Sequence, residues 1–276
     1  MDIHPNMPPR SVETVSQDGE NHMPNITTNA GRIAFVTGAG RGFGRAFSEV
    51  LGTQGAHVMM VDIDGDVVED AAAAIRARGG RATALTCDVA DEASVAAAMA
   101  VVQRDHGGLD ILINNAGLHS EKYNRTMANT GVAGLRRLFD VNVMGVVICT
   151  LAAAPLMVGR DGAAIVNISS TAAYPVPTAY GVSKLAVRGL TTAFARELGG
   201  RGVRVNAIAP GLIMTDTIRA ELNPESVAYV QAQQVLAREG VIQDIVDTML
   251  YLISPASSFM TGETLKVGGG FTLGLG

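Results

Sequence analysis

Short apolar runs recur between longer alanine-rich segments, and this alternation constrains the fold more than any other feature. The runs occupy 33–36, 57–61, 82–85, 109–113, 163–168 and 203–208. Segments with helical spacing lie between them, at about 43–53, 65–78, 91–106, 131–158 and 178–199. The runs are short and do not alternate strictly, as expected of strands buried on both faces of a parallel sheet. Strand–helix alternation of this kind predicts a doubly wound α/β fold with helices on both faces and right-handed crossovers. Leu265 and Val267 are candidates for a closing strand. No Pro- or Ser-rich linker divides 30–276, which predicts one domain.

Residues 1–29 differ from the rest. They hold Pro5, Pro8, Pro9 and Pro24, four acids, one Arg and few large apolar residues. Such a stretch buries too little surface to offset its ordering entropy, so it reads as a flexible tail. It has no apolar segment of the secretory type, and Met23 is a candidate natural start. The tail carries −3 of the formal net charge of −5, so the folded part is nearly neutral. No basic stripe marks a nucleic-acid partner. The longest nearly apolar run, Val146 to Val158, has 13 residues, short of the roughly 20 that span a bilayer. Two cysteines, Cys87 and Cys149, cannot build a disulfide framework or a multi-Cys metal site. They read as buried thiols in a reducing cytoplasm, and no metal is expected.

The first run leads into Thr37-Gly38-Ala39-Gly40-Arg41-Gly42-Phe43-Gly44 and then a helix. Glycines between a strand and a helix allow a tight turn, close approach to a pyrophosphate and close helix–strand packing. The helix N-terminus then stabilises the phosphate charge. The second run ends at Asp62, 18 residues beyond Gly44. An acid there can accept both adenosine ribose hydroxyls and repels a 2′-phosphate, which favours NAD over NADP. Arg41 argues the other way, since a guanidinium can pair with that phosphate. Asp62 outweighs it, because Arg41 can swing away.

Residues 169–184 read Ser-Ser-Thr-Ala-Ala-Tyr-Pro-Val-Pro-Thr-Ala-Tyr-Gly-Val-Ser-Lys. Tyr180 and Lys184 are four apart at a helix start and share one face. Ser169 and Ser170 follow a buried strand, so they sit at its carboxyl end, where open α/β sheets bind ligands. Here the chain resembles the short-chain dehydrogenase/reductase family, in its compact branch, over nearly all of 31–270. The resemblance rests on the Thr37–Gly44 loop, Asp88-Val89, Asn114-Asn115-Ala116-Gly117, Asn142, Ser170, Tyr180 with Lys184, and Pro210-Gly211-Leu212-Ile213-Met214-Thr215. Alone, each has a plain structural explanation: a core tyrosine, a solvated lysine, a helix-kinking asparagine, a turn serine. Together and in order they are specific.

The resemblance implies a Rossmann-like fold, a nicotinamide cofactor and interconversion of a secondary alcohol with a ketone. It implies Tyr180 as general base or acid, Ser170 as holder of the substrate oxygen, Lys184 as a cation beside the phenol that also holds the nicotinamide ribose, and Asn142 as positioner of a relay water. A tyrosine ordinarily titrates near pH 10. Lowering that by about three units needs about 4 kcal/mol, roughly what one cation about 4 Å away supplies at a dielectric of about 20. Cofactor contacts implied are Gly38, Gly40, Arg41, Gly42, Phe43, Gly44, Asp62 and Ile63. Asp88 and Val89 are implied at the adenine, Asn115 and Gly117 along the adenosine, and Ile213 and Thr215 at the carboxamide. Asn114 is expected to tie strands together. Ser170 and Tyr180 lie ten residues apart, three fewer than usual in the family, so the loop between them is expected to be tight and Ser169 competes with Ser170. The segment after Thr215 corresponds to the family's mobile lid.

A pocket of Leu118, Tyr174, Val176, Leu212, Met214, Ile218 and Leu222 is mainly apolar and predicts a neutral, fairly hydrophobic, cyclic substrate. His119, Lys122 and Arg125 lie nearby and weaken that expectation; His119 reads as a loop surface residue outside the chemistry. An NADPH-dependent reductase of 3-oxoacyl thioesters is the competing enzyme, supported by Arg41. Enoyl reductases of the superfamily place the two residues seven apart rather than four. A non-catalytic nucleotide sensor would have lost the tyrosine or the lysine. The resemblance implies a homotetramer or homodimer through 131–158 and 178–199.

Overall fold

A computed structural model describes residues 28–119, 122–175, 177–215 and 224–273. Apolar runs become strands and the alanine-rich segments become helices. In chain order these are β1 (Ile33–Thr37), α1 (Gly42–Thr53), β2 (His57–Asp62), α2 (Gly65–Ala77), β3 (Arg81–Thr86), α3 (Glu92–His106) and β4 (Ile111–Asn114). Then follow α4 (Met127–Phe139), a π-helical turn (Asp140–Met144), α5 (Gly145–Met157), β5 (Ala164–Ile168), α6 (Ala179–Leu198) and β6 (Arg204–Pro210). The described chain closes with α7 (Pro224–Ala232), α8 (Ile242–Ile253) and β7 (Thr264–Val267). All neighbours pair in parallel, in the order β3-β2-β1-β4-β5-β6-β7. This is the Rossmann-like sheet expected.

Alternate side chains of one strand feed two cores, which explains the near-continuous apolar runs. Ala34 and Val36 pack with α1, α2 and α8, whereas Ile33 and Phe35 pack with α3, α5 and α6. β1 and β4 are neighbours although three crossovers separate them in sequence, so a crevice opens between their carboxyl ends. Polar bonds lock that junction. Thr37 Oγ1 accepts from the N–H groups of Asn115 and Ala116 at 2.9 Å each. Asn114 Nδ2 donates to Asn167 on β5 at 2.8 Å and to Thr150 on α5 at 3.1 Å, tying strands together as expected. At the amino end, buried Asn29 donates to Gln54 and accepts from Arg32, so the ordered frame includes it.

The long helix expected over 131–158 is not one helix. It begins at Met127, breaks at Gly131 (φ 68°, ψ 163°) and passes through the π turn before α5. By length and composition the stretch Met127–Met157 could cross a membrane, but half of its apolar window is buried and α5 packs on the sheet. It is a core helix. Residues 1–27 of the expected tail lie outside the described residues, as does 216–223 of the segment after Thr215.

Candidate active site

The glycine loop hugs the sheet because it has no side chains to keep it away. A Cβ on Gly44 would lie 2.1 Å from the Gly38 carbonyl oxygen, so any side chain there would part α1 from β1. Gly42, in the left-handed region at φ +52°, faces open space at the N-terminus of α1. Asp64, Asp91, Thr126 and Thr178 cap α2, α3, α4 and α6 with side-chain oxygens, whereas Arg41 gives α1 no such bond. The first N–H groups of α1 are thus left for a ligand, and an anion suits them.

One cavity of about 690 Å³ runs from this loop to Tyr180. Most of the expected cofactor residues line it: Gly38, Arg41, Gly42, Phe43, Asp62, Ile63, Asp88, Val89, Asn115, Gly117, Ile213 and Thr215. Gly40 and Gly44 support the wall from behind. Gly40 N–H donates to Asp62 Oδ2 at 3.1 Å, and Asp64 N–H donates to Asp62 Oδ1 at 3.2 Å, which fixes this carboxylate at the end of β2. Arg41 turns away from it to pair with Asp64 at 2.9 Å. Ile63 is 60% exposed beside Asp62 and offers a flat apolar surface. Asn115 uses both amide hydrogens on the Thr37 and Gly38 carbonyls, at 2.9 and 3.1 Å, so it shapes the loop. Asp88 accepts from Ala90 N–H at 2.9 Å and faces Arg137 at 3.7 Å. Arg137 also lines the cavity; no motif flagged it, since its place depends on how α4 crosses the end of β3. An elongated trough with an uncapped helix end and a carboxylate near it fits a dinucleotide.

At the other end, α6 presents Tyr180 and Lys184 on one face, both buried. The two serines point opposite ways. Ser169 Oγ donates to the Lys184 carbonyl at 2.8 Å and is sealed under α6. Ser170 Oγ accepts from Ala172 N–H at 3.1 Å, and Ser170 stands beside the Tyr180 phenol, favouring its charged form. Ser170 is thus the serine whose hydroxyl is not committed to the Lys184 carbonyl. Burial pushes the Tyr180 phenol up to about 12, and the neighbouring Ser170 hydroxyl opposes that rise. Lys184 Nζ donates to the Ile168 carbonyl at 2.8 Å, and burial pushes it down to about 8. It sits 5.8 Å from the centre of the tyrosine ring.

Asn142 occupies the π turn, fully buried. Its Oδ1 accepts from Leu118 N–H at 2.7 Å, and its Nδ2 donates to the Leu118 carbonyl and to Ser183 Oγ at 3.1 Å each. It clamps the chain after β4 against α6. A Cβ on Gly117 would lie 3.3 Å from both Asn142 Oδ1 and Lys184 Nζ, so these groups flank one point.

The expected substrate pocket needs correction. Leu118 and Leu212 line the cavity. Tyr174 does not; its ring is held by Arg188 at 4.0 Å and Lys266 at 4.8 Å. Met214 also stays outside, its N–H bonded to the Gly240 carbonyl at 3.0 Å. Val176, Ile218 and Leu222 lie outside the described residues. His119, set aside as a surface residue, packs edge-on against Tyr180 with ring centres 4.8 Å apart, and it lines the cavity. Lys122 instead lies over the Tyr123 ring at 5.3 Å.

Residues 38–272 match a family model described as enoyl-(acyl carrier protein) reductase. Among curated relatives, the 7alpha-hydroxysteroid dehydrogenase of Escherichia coli (strain K12) is 35% identical over 244 residues, covering 87% of this chain and 94% of that one. The cis-4-hydroxycyclohexanecarboxylate dehydrogenase of Sinomonas cyclohexanicum is 35% identical over 246 residues, covering 88% and 97%. A Haemophilus influenza structure with bound NAD, provisionally assigned as a D-mannonate oxidoreductase, superposes with a TM-score of 0.83 at 26% identity, covering 88% and 96%.

Proposed function

We infer, because this chain belongs to the short-chain dehydrogenase/reductase family, that it is an NAD-dependent enzyme interconverting a secondary alcohol and a ketone. The observation that carries this reading is that Ser170, Tyr180 and Lys184 line one end of the cavity whose other end is the glycine loop and Asp62. Ser170 holds the substrate oxygen and, with Tyr180, stabilises charge developing on it. Tyr180 takes the hydroxyl proton in oxidation and returns it in reduction. The cofactor, when bound, supplies the hydride acceptor and a positively charged ring beside the phenol. The phenol needs that charge, since burial alone raises it to about 12. Lys184 holds the nicotinamide ribose, and Asn142 positions the water through which Lys184 exchanges protons with solvent.

Asp62 supports NAD as the cofactor: its carboxylate is fixed on the cavity wall at the end of β2, and Arg41 is engaged with Asp64. The four-residue spacing of Tyr180 and Lys184 speaks for alcohol–ketone chemistry and against enoyl reduction, whatever the matched model is called. At the substrate end the described walls are mainly Leu118, Pro175, Pro177, Leu212 and Phe271, with His119 the basic group there. Such walls suit a neutral, hydrophobic substrate. Both curated relatives are named for ring alcohols, which supports a cyclic one. Met144, Leu151 and Leu185 expose apolar surface on the π turn, α5 and α6, the faces through which a homodimer or homotetramer would form. The buried thiols of Cys87 and Cys149 suit a reducing cytoplasm.

A panel of cyclic and open-chain secondary alcohols, followed at 340 nm with NAD and with NADP, tests the reading. Turnover with NAD preferred, lost at least about 100-fold in Tyr180→Phe with NAD affinity retained, is expected. A Tyr180→Phe variant that keeps its full rate refutes it.

A further inference from the structure

Beside the catalytic cavity lies a second one, of about 500 Å³. Its walls come from two segments far apart in sequence, the turn 234–236 after α7 and the chain 268–273 after β7. Main-chain bonds close them on each other: the N–H groups of Val235 and Leu236 both donate to the Gly269 carbonyl, at 2.8 and 3.0 Å. Leu212, Ile213 and Phe271 are wall residues of both cavities. The charges on its border are already engaged. Arg238 pairs with both Asp244 oxygens at 2.8 and 2.7 Å, and Lys266 donates to the Thr272 carbonyl at 3.0 Å. Apolar walls, with Arg238 paired to Asp244 and Lys266 turned to a main-chain carbonyl, favour hydrocarbon over an anion.

We propose that this second cavity is a substrate subsite, holding the apolar extension of an elongated secondary alcohol whose carbinol lies at Ser170 and Tyr180. The inference rests on the alcohol–ketone reading of the catalytic cavity and narrows its substrate class to molecules that outgrow that cavity. Two features support a tail rather than an independent ligand: the wall residues Leu212, Ile213 and Phe271 common to both cavities, and the mainly apolar lining of the second one.

The test uses secondary alkanols from 2-butanol to 2-dodecanol. In the native protein, kcat/KM should rise about fourfold per methylene once the chain passes Phe271, the equivalent of about 0.8 kcal/mol. Leu236→Trp, at a half-exposed wall position, fills the second cavity alone. It should flatten the rise and leave 2-butanol within twofold. Binding is read separately. The chain has no tryptophan, so Leu273→Trp places one reporter at the far wall, and 2-decanol should shift its emission to the blue. A flat series in the native protein, or an unchanged slope in Leu236→Trp, overturns the subsite while turnover of short alcohols keeps the dehydrogenase reading. An emission shift with 2-decanol, without turnover of any alcohol, keeps the subsite and refutes that reading.

Discussion

Lys184 should make the folded protein less stable at neutral pH, and replacing it should show this. Its ammonium group is buried, held by one carbonyl at 2.8 Å, and pushed down to about 8 from 10.5. In the unfolded chain it titrates near 10.5. Protons therefore bind the unfolded state more tightly. Stability from this group is full above 10.5 and is lost as pH falls through 8. At pH 7 the loss amounts to about 3 kcal/mol. Lys184→Met removes that cost and also strands the Ile168 carbonyl, which costs about 1–3 kcal/mol at every pH. The absolute difference between the two proteins is thus a poor test, and its pH trend is a good one. Urea unfolding followed by circular dichroism at pH 7, 8, 9 and 10, with linear extrapolation, should show the variant's relative stability falling by about 2–3 kcal/mol across that range. Tyr180, raised to about 12, contributes equally to both proteins over this range. A difference constant to within about 0.5 kcal/mol would mean that burial does not lower the Lys184 ammonium as argued, and the reasoning would fall.

Other substitutions probe other parts of the site. Asp62→Asn keeps an acceptor for the Gly40 N–H but removes the charge, so the ratio of kcat/KM for NAD over NADP should fall at least about tenfold; an unchanged ratio refutes the role given to Asp62. His119→Ala loses the edge contact with Tyr180 and should lower kcat by up to about tenfold, while His119→Phe restores most of it; equal rates in all three proteins would return His119 to the loop surface. Asp110 is buried, takes two bonds from Arg160 at 2.7 and 3.0 Å and holds the Ile33 N–H at 2.7 Å. Asp110→Ala should cost about 3 kcal/mol and lower Tm by about 6–12 °C with kcat unchanged in the folded fraction; a Tm within about 2 °C of native refutes it.

Strand positions were legible to within two residues because burial on both faces writes itself as an apolar run. The glycine loop, Asp62, Tyr180 and Lys184 were legible because each has a fixed offset from an element end. What escaped the sequence depends on which way a side chain turns between distant segments. Ser169 and Ser170 are adjacent and chemically identical, and only the tertiary fold decides that one bonds the Lys184 carbonyl and the other accepts from Ala172 N–H. Tyr174 reads as a pocket aromatic until Arg188 and Lys266, from α6 and β7, are seen to hold its ring.

The π turn at Asn142 shows the same limit from the other side. α5 is apolar all round, so no periodicity marks where an extra residue enters the helix. The insertion is visible only through what it permits. The widened turn directs the Asn142 amide at Leu118 after β4 and at Ser183 on α6, joining the two segments that carry His119 and Tyr180. A regular α-helix through 140–144 would turn the side chains on one side of this point by about 100° relative to the other. It would then satisfy the core or the site, but not both. Local irregularity here follows from tertiary geometry, and that is why the residue type could be recognised in the sequence while its conformation could not.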